Sequence, residues 1–224
     1  MNAYGFTAEL SQFKPRIWRR FLVPANITVA KLGYIIMTLF EMKADHLFSI
    51  EYKSENKIES KSENKKIRFD IDIEMGRADW KSAQNASKTY LSSLDILSKS
   101  SISMFYDFSR GWEVSLAFEK LYDIPIHMTD SLPRALEGER YGIVEGCGGG
   151  AGLSKLMKAF AVKSGDDYKE LSEKFGRKNF NFNKFSVSRA NERLRIIPEI
   201  YRQVYEEQIS PTDEENEYIE RGMI

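Results

Sequence analysis

Ser101-Ile-Ser-Met-Phe-Tyr-Asp-Phe-Ser-Arg-Gly-Trp-Glu-Val-Ser-Leu-Ala-Phe-Glu-Lys120 is the stretch that decides how this chain folds. Ile102, Met104, Tyr106 and Phe108 alternate on the way in, and Trp112, Val114, Leu116 and Phe118 alternate on the way out. Alternation of period two marks strands with one buried face. Ser109-Arg110-Gly111 between them fits a three-residue hairpin loop, with Gly111 taking the positive φ such a turn requires. That register pairs Phe108 with Trp112, Tyr106 with Val114 and Met104 with Leu116, so one face is wholly apolar. A two-residue turn would set Phe108 against Glu113 and exchange the faces. The three-residue loop also places Asp107 opposite Glu113. Like charges facing across a ladder are destabilising by up to about 1 kcal/mol, so Arg110, another basic group, a shared proton or a metal ion should compensate.

Working outward, the N-terminal half reads as further strands around one helix. Tyr4, Phe6, Ala8 and Leu10 alternate. Phe13-Lys14-Pro15 turns the chain, and Arg16 to Val23 makes a second strand closed by Pro24. Thr28 is a natural N-cap for a helix to about Met42, since Leu32, Ile35, Ile36, Leu39 and Phe40 follow helical spacing. Leu47 to Tyr52 returns to strand. Lys53-Ser-Glu-Asn-Lys57 is then echoed by Lys61-Ser-Glu-Asn-Lys65. With almost nothing to bury, residues 53–66 are expected to be a flexible polar loop. Ile67, Phe69, Ile71 and Ile73 alternate again. Lys81 to Ser87 reads as loop, and Thr89 to Leu97 as a short helix.

Helices dominate after the hairpin. The chain from Tyr122 is irregular up to the glycine run Gly146–Gly152, followed by helices at about Leu153–Val162 and Asp166–Phe175. Asn191 to Gln208 is helical with an interruption at Pro198, and the acidic tail from Thr212 adds a last helix. Strands early and helices late predict an α+β fold. One domain is expected over residues 4–197, with a helical acidic extension over 198–224.

Composition narrows the partners. Of 224 residues, 42% are hydrophobic, enough for an ordinary core. Lysine plus arginine and aspartate plus glutamate are both 33, so no net field advertises nucleic acid or membrane. A single cysteine, Cys147, excludes an internal disulfide and suits a reducing compartment. The N-terminus enters strand alternation with no leader pattern, and no apolar run is long enough to cross a bilayer. A cytoplasmic protein is expected.

The order of several short motifs resembles a known family. Lys14-Pro-Arg-Ile-Trp-Arg-Arg-Phe-Leu-Val-Pro24, the following helix, Asp45-His-Leu-Phe48, Tyr106-Asp-Phe108 with Trp112-Glu113, and Glu145 before Gly148-Gly149 together resemble the plasmid pRiA4b ORF-3-like family, whose members also travel as passengers in insertion elements. The resemblance spans about residues 4–197 and implies one α+β domain with no assigned biochemical role. This chain departs from the family pattern at several places. Gly33 stands where a histidine usually follows the leucine of the first helix, and Met42 stands where a tryptophan is usual. Arg110 and Val114 replace the acidic and histidine positions of the hairpin, and Gly146 replaces the second acid before the double glycine. If the family set is a metal or acid–base site, only His46, Asp107, Glu113 and Glu145 persist here, which implies a weakened or lost site.

Three chemistries are then open. His46, Asp107 and Glu113, with Glu145, could hold a divalent metal or form an acid–base centre in a hydrolase or nuclease; paired carboxylates raise one pKa. No compact metal-binding spacing is present, and the residues leave open whether the chain is an enzyme. Gly146-x-Gly148-x-x-Ala151 approaches a dinucleotide fingerprint, but no second parallel strand follows, and a glycine turn that lets backbone approach the hairpin fits better. Cys147 reads as a small buried residue rather than a nucleophile. Arg177, Lys178, Phe180, Phe182, Lys184, Phe185, Arg189, Arg193 and Arg195 interleave aromatics with cations, as single-strand binding surfaces do; Arg16, Trp18, Arg19 and Arg20 add to this. The leading expectation is a binding module for nucleic acid or protein, without cofactor and without a working active site. A tail that recruits another chain is a third expectation.

Overall fold

The computed structural model describes residues 1–58, 61–71, 83–96, 100–176 and 178–222. Among them one eight-stranded sheet runs in the order β5-β4-β3-β6-β7-β1-β2-β8. The strands are β1 (Asn2–Leu10), β2 (Trp18–Pro24), β3 (Phe48–Ile58), β4 (Lys61–Asp70), β5 (Gln84–Asn85), β6 (Ser100–Tyr106), β7 (Trp112–Asp123) and β8 (Arg134–Glu139). All neighbours are antiparallel except β4 and β5. The helices are α1 (Val29–Leu39), α2 (Gly149–Val162), α3 (Asp166–Lys174), α4 (Val187–Leu194), α5 (Ile197–Arg202) and α6 (Asp213–Arg221). The fold is α+β, with one helix inside the strand-rich part and the rest after it.

The helix α1 is capped by Thr28, whose hydroxyl accepts the Lys31 N–H at 3.1 Å. Every residue of it but Lys31 is buried. A helix that is apolar all round must lie between two layers, and α1 does: β3 is on one side and α4 and α5 are on the other. Ile200 and Tyr201 lie beyond Pro198 yet enter the same core, so the start of the expected extension packs as part of the body. Gly33 marks the tightest contact of this layer. A Cβ there would meet the Phe48 ring at 2.4 Å.

The central hairpin keeps its expected faces but not its loop. Tyr106 pairs with Trp112, Met104 with Val114 and Ile102 with Leu116, and all six are buried. The turn therefore spans five residues, 107–111, rather than three. The shift is two residues, so the apolar face is preserved, but Phe108 leaves it and is 40% exposed. Asp107 causes the longer turn. It sits in the left-handed region at φ 48°, which aspartate tolerates. Its Oδ1 accepts from the Ser109 hydroxyl at 2.6 Å, the Ser109 N–H at 3.2 Å and the Arg110 N–H at 3.3 Å. Its carbonyl takes the Arg110 and Gly111 N–H groups. These bonds compete with ladder pairing and win. Glu113 consequently faces Phe105, not Asp107, and the expected like-charge pair does not form.

Three other expectations change. Residues 53–58 and 61–66 pair as strands from Lys53 opposite Lys66 to Ile58 opposite Lys61, where a loop was expected. The segment Thr89–Leu97 yields only one turn of 3-10 helix at Leu91–Ser93, and Leu97, like Ile73, Lys81 and residues 59–60, lies outside the described residues. The stretch after Tyr122 contains β8, which pairs with β2. Asn191 of α4 covers the open side of β8 by bonding both the N–H and the carbonyl of Ala135, at 2.8 and 3.1 Å. Such closure removes a pairing edge.

Candidate functional site

Three of the four acid and imidazole candidates gather on the inner face of the hairpin. His46 Nε2 lies 3.6 Å from Asp107 Oδ2; the imidazole is 43% exposed and the carboxylate 9%. The His46 ring meets the Tyr106 ring edge-on at 5.7 Å. Tyr106, buried in β6, donates its hydroxyl to Glu145 Oε1 at 2.6 Å, and the Lys43 N–H donates to the same oxygen at 2.7 Å. Glu145 Oε2 is buried and has no hydrogen-bond partner among the described residues. Glu113 is not part of this group. Successive residues of a strand point to opposite faces, so a residue opposite Phe105 faces away from Tyr106. Among the described residues no three of His, Cys, Asp and Glu are placed to hold one metal ion. The divalent-metal centre expected from His46, Asp107 and Glu113 therefore lacks its third ligand.

Electrostatics separate the two remaining carboxylates. Burial pushes the Glu145 carboxyl above its ordinary range, the Tyr106 hydroxyl and the Lys43 N–H pull it back, and the charge on Asp45 raises it again. Burial likewise raises the Tyr106 hydroxyl, with the Glu145 charge adding to it. Asp107 is instead engaged by its own turn. Tyr205 bonds the His46 carbonyl from the helical segment after α5 and fixes the backbone of that residue.

Glu145 also lines a cavity of about 100 Å³. Its walls include the rings of Tyr141, Phe160, Phe175, Phe180 and Phe182. These pack tightly: Tyr141 and Phe180 are 4.6 Å apart between centroids, and Phe180 and Phe182 are 4.5 Å apart. Glu41, Lys43 and Glu220 complete the polar lining. Glu41 is buried at φ 62° just after α1, where it accepts from Arg193 Nη2 at 3.3 Å and from the Tyr141 hydroxyl at 3.2 Å. Arg193 also reaches the Tyr218 carbonyl of α6. The Lys43 ammonium pairs with Glu220 of α6.

This geometry takes three residues out of the expected nucleic-acid stripe. Phe180 and Phe182 are 7% and 6% exposed, and Arg193 is 4% exposed in its ion pair, so none offers a surface to a base or phosphate. Arg19 is fully buried, with Nε on the Leu39 carbonyl and Nη1 on the Trp18 and Glu139 carbonyls. Burial lowers its pKa to about 9, with Glu41 and Tyr141 opposing. Arg16 pairs with Glu9, and Arg20 with Glu119. Lys178 and Arg189 are exposed, and Arg177 lies outside the described residues. The glycine run forms the start of α2, where a Cβ on Gly149 would sit 3.3 Å from the Arg110 carbonyl. That is the close approach to the hairpin expected of it. Cys147 is half-buried, and burial raises its thiol pKa.

Sequence reasoning missed Glu41, Tyr106 and Tyr141 as site residues. Glu41 and Arg193 stand 152 positions apart, and no local pattern links them. The signal available for Tyr106 was its neighbour, since it precedes Asp107 in the hairpin motif.

Comparison with known proteins agrees with this architecture. A solved structure, the protein of unknown function MM3350 from Methanosarcina mazei Go1, superposes with a TM-score of 0.68 at 21% identity, covering 84% of this chain and 96% of that one. At that identity the likeness speaks for the fold. No curated protein matches. No helix of the described residues is long and apolar enough to cross a membrane. The family model of the plasmid pRiA4b ORF-3-like proteins matches residues 2–189, and this chain belongs to that family.

Proposed function

We propose that this protein is a binding module that holds a small ligand in the cavity beside Glu145 and carries no working acid–base or metal centre. One observation carries the reading. Glu145, fixed by Tyr106 and Lys43 through one oxygen, is a carboxylate in the wall of a cavity lined mainly by aromatic rings. Few polar groups set in an otherwise apolar wall is the usual make-up of a ligand pocket. The hydrolase alternative has the His46–Asp107 pair in its favour, but Asp107 is committed to its turn and Glu113 faces away.

Methyl-labelled NMR tests the reading. Ile143 and Ile219 line the cavity, whereas Ile196 and Ile209 are exposed on the surface. A library of molecules of about four or five heavy atoms should shift the first pair and leave the second unmoved. Shifts confined to the surface methyls would refute it.

A further inference from the structure

We infer that the ligand of this cavity is a small alkylammonium ion, its charge beside Glu145 and its alkyl groups among the rings. The inference rests on the cavity being a binding site and adds the chemical class.

Size comes first. A dry cavity of about 150 Å³ admits benzene, so about 100 Å³ holds roughly four or five heavy atoms by the same scaling. Charge comes next. Of the polar groups on the wall, Glu41 is neutralised by Arg193, and Lys43 is paired with Glu220. Glu145 is held by a hydroxyl and a backbone amide, neither of which carries a charge. The unpaired charge on the wall is therefore negative. An anion would be repelled by this carboxylate, and a neutral molecule would leave it without a counter-charge. A cation answers it.

The wall supplies the second half of the recognition. Aromatic rings attract ammonium groups through the negative charge of their faces, and more strongly when water is excluded. Phe160, Phe175 and Phe182 line this space beside Tyr141 and Phe180, so the methyl or methylene groups of an alkylammonium ion meet carbon while its charge meets ring and carboxylate.

The experiment compares isopropylammonium with 2-propanol, which has the same number of heavy atoms and no charge. Both are titrated into the full chain and into Glu145→Gln, following the Ile143 and Ile219 methyl resonances. Isopropylammonium is expected to bind the wild type at least 10-fold more tightly than 2-propanol, and Glu145→Gln should erase that preference. Phe175→Leu, which keeps the carboxylate, should weaken the ammonium more than the alcohol. Equal or reversed affinities in the wild type, or a preference that survives Glu145→Gln, would overturn the inference. Alcohol binding without ammonium binding would leave the cavity as a ligand site and remove the cation. Silence from both probes at these methyls would count against the cation and the pocket together.

Discussion

Asp107 and Glu145 lie at two ends of one chain of contacts through His46 and Tyr106, yet their surroundings prepare them for different work. Asp107 closes a turn. Three donors of its own loop and the half-exposed His46 surround it, and solvent reaches the imidazole beside it. Glu145 is drawn into the interior, and one of its oxygens is left without a donor. The difference teaches where reactivity is available. A carboxylate that organises backbone is fully employed, and one that is desolvated and incompletely bonded is costly to hold in its charged form. The family pattern includes both residues; in this chain Asp107 is bonded within its turn, and Glu145 carries the unsatisfied oxygen.

The comparison breaks most strongly on the cavity side. Arg193→Ala leaves Glu41 buried without its cation and should cost about 3–5 kcal/mol, read as a lower midpoint in urea unfolding. Gly33→Ala comes next. Its new Cβ would meet the Phe48 ring at 2.4 Å, and overpacking of that kind costs about 1–3 kcal/mol; a histidine should be worse. The same Phe48 ring packs on Tyr34 and Tyr205, so this position has no room for a larger side chain. Thr212→Ala removes the capping box of α6, in which Thr212 and Glu215 bond each other's backbone. It should cost about 1 kcal/mol by thermal melting. Asp107→Asn keeps the turn acceptor and tolerates the left-handed backbone, so stability should change by less than about 1 kcal/mol, and ligand binding at the Ile143 methyl should be unchanged. A large loss of binding in Asp107→Asn would restore the hairpin as the working site.

How much of this was readable depends on the range of the interaction that decides it. The two faces of the hairpin are local, with period two, and Tyr106, Met104, Val114 and Leu116 all lie where alternation puts them. The loop length was not readable, because it turns on whether the Asp107 side chain outcompetes two ladder bonds. Strand β8 was invisible for a similar reason. Arg-Ala-Leu-Glu-Gly-Glu buries only Ala135, and its place is set by β2 and by Asn191. Phe180, Phe182 and Arg193 read equally well as a basic aromatic surface or as a core. Glu41, far away in sequence, draws Arg193 inward, while Tyr141 and Phe160 pack with the two rings. Of the site, His46, Asp107 and Glu145 were legible as a group, whereas the cavity exists only once α2, α3 and α6 are packed.

The smallest effect at any one pH is the most specific. The folded Glu145 carboxyl lies above the ordinary glutamate value of 4.5. Its contribution to stability is then fully present below that value and is lost as pH rises through the folded one. Glu145→Gln should flatten this part of the stability–pH curve, with the variant gaining on the wild type toward neutral pH.

Side-chain ¹³C titration of Glu145 in the ligand-free protein measures the underlying quantity directly. A midpoint above the ordinary range, moving down when isopropylammonium is added, is the expected result. A midpoint at or below the ordinary range, unmoved by the cation, would mean that Glu145 is already satisfied and that the cavity makes no demand.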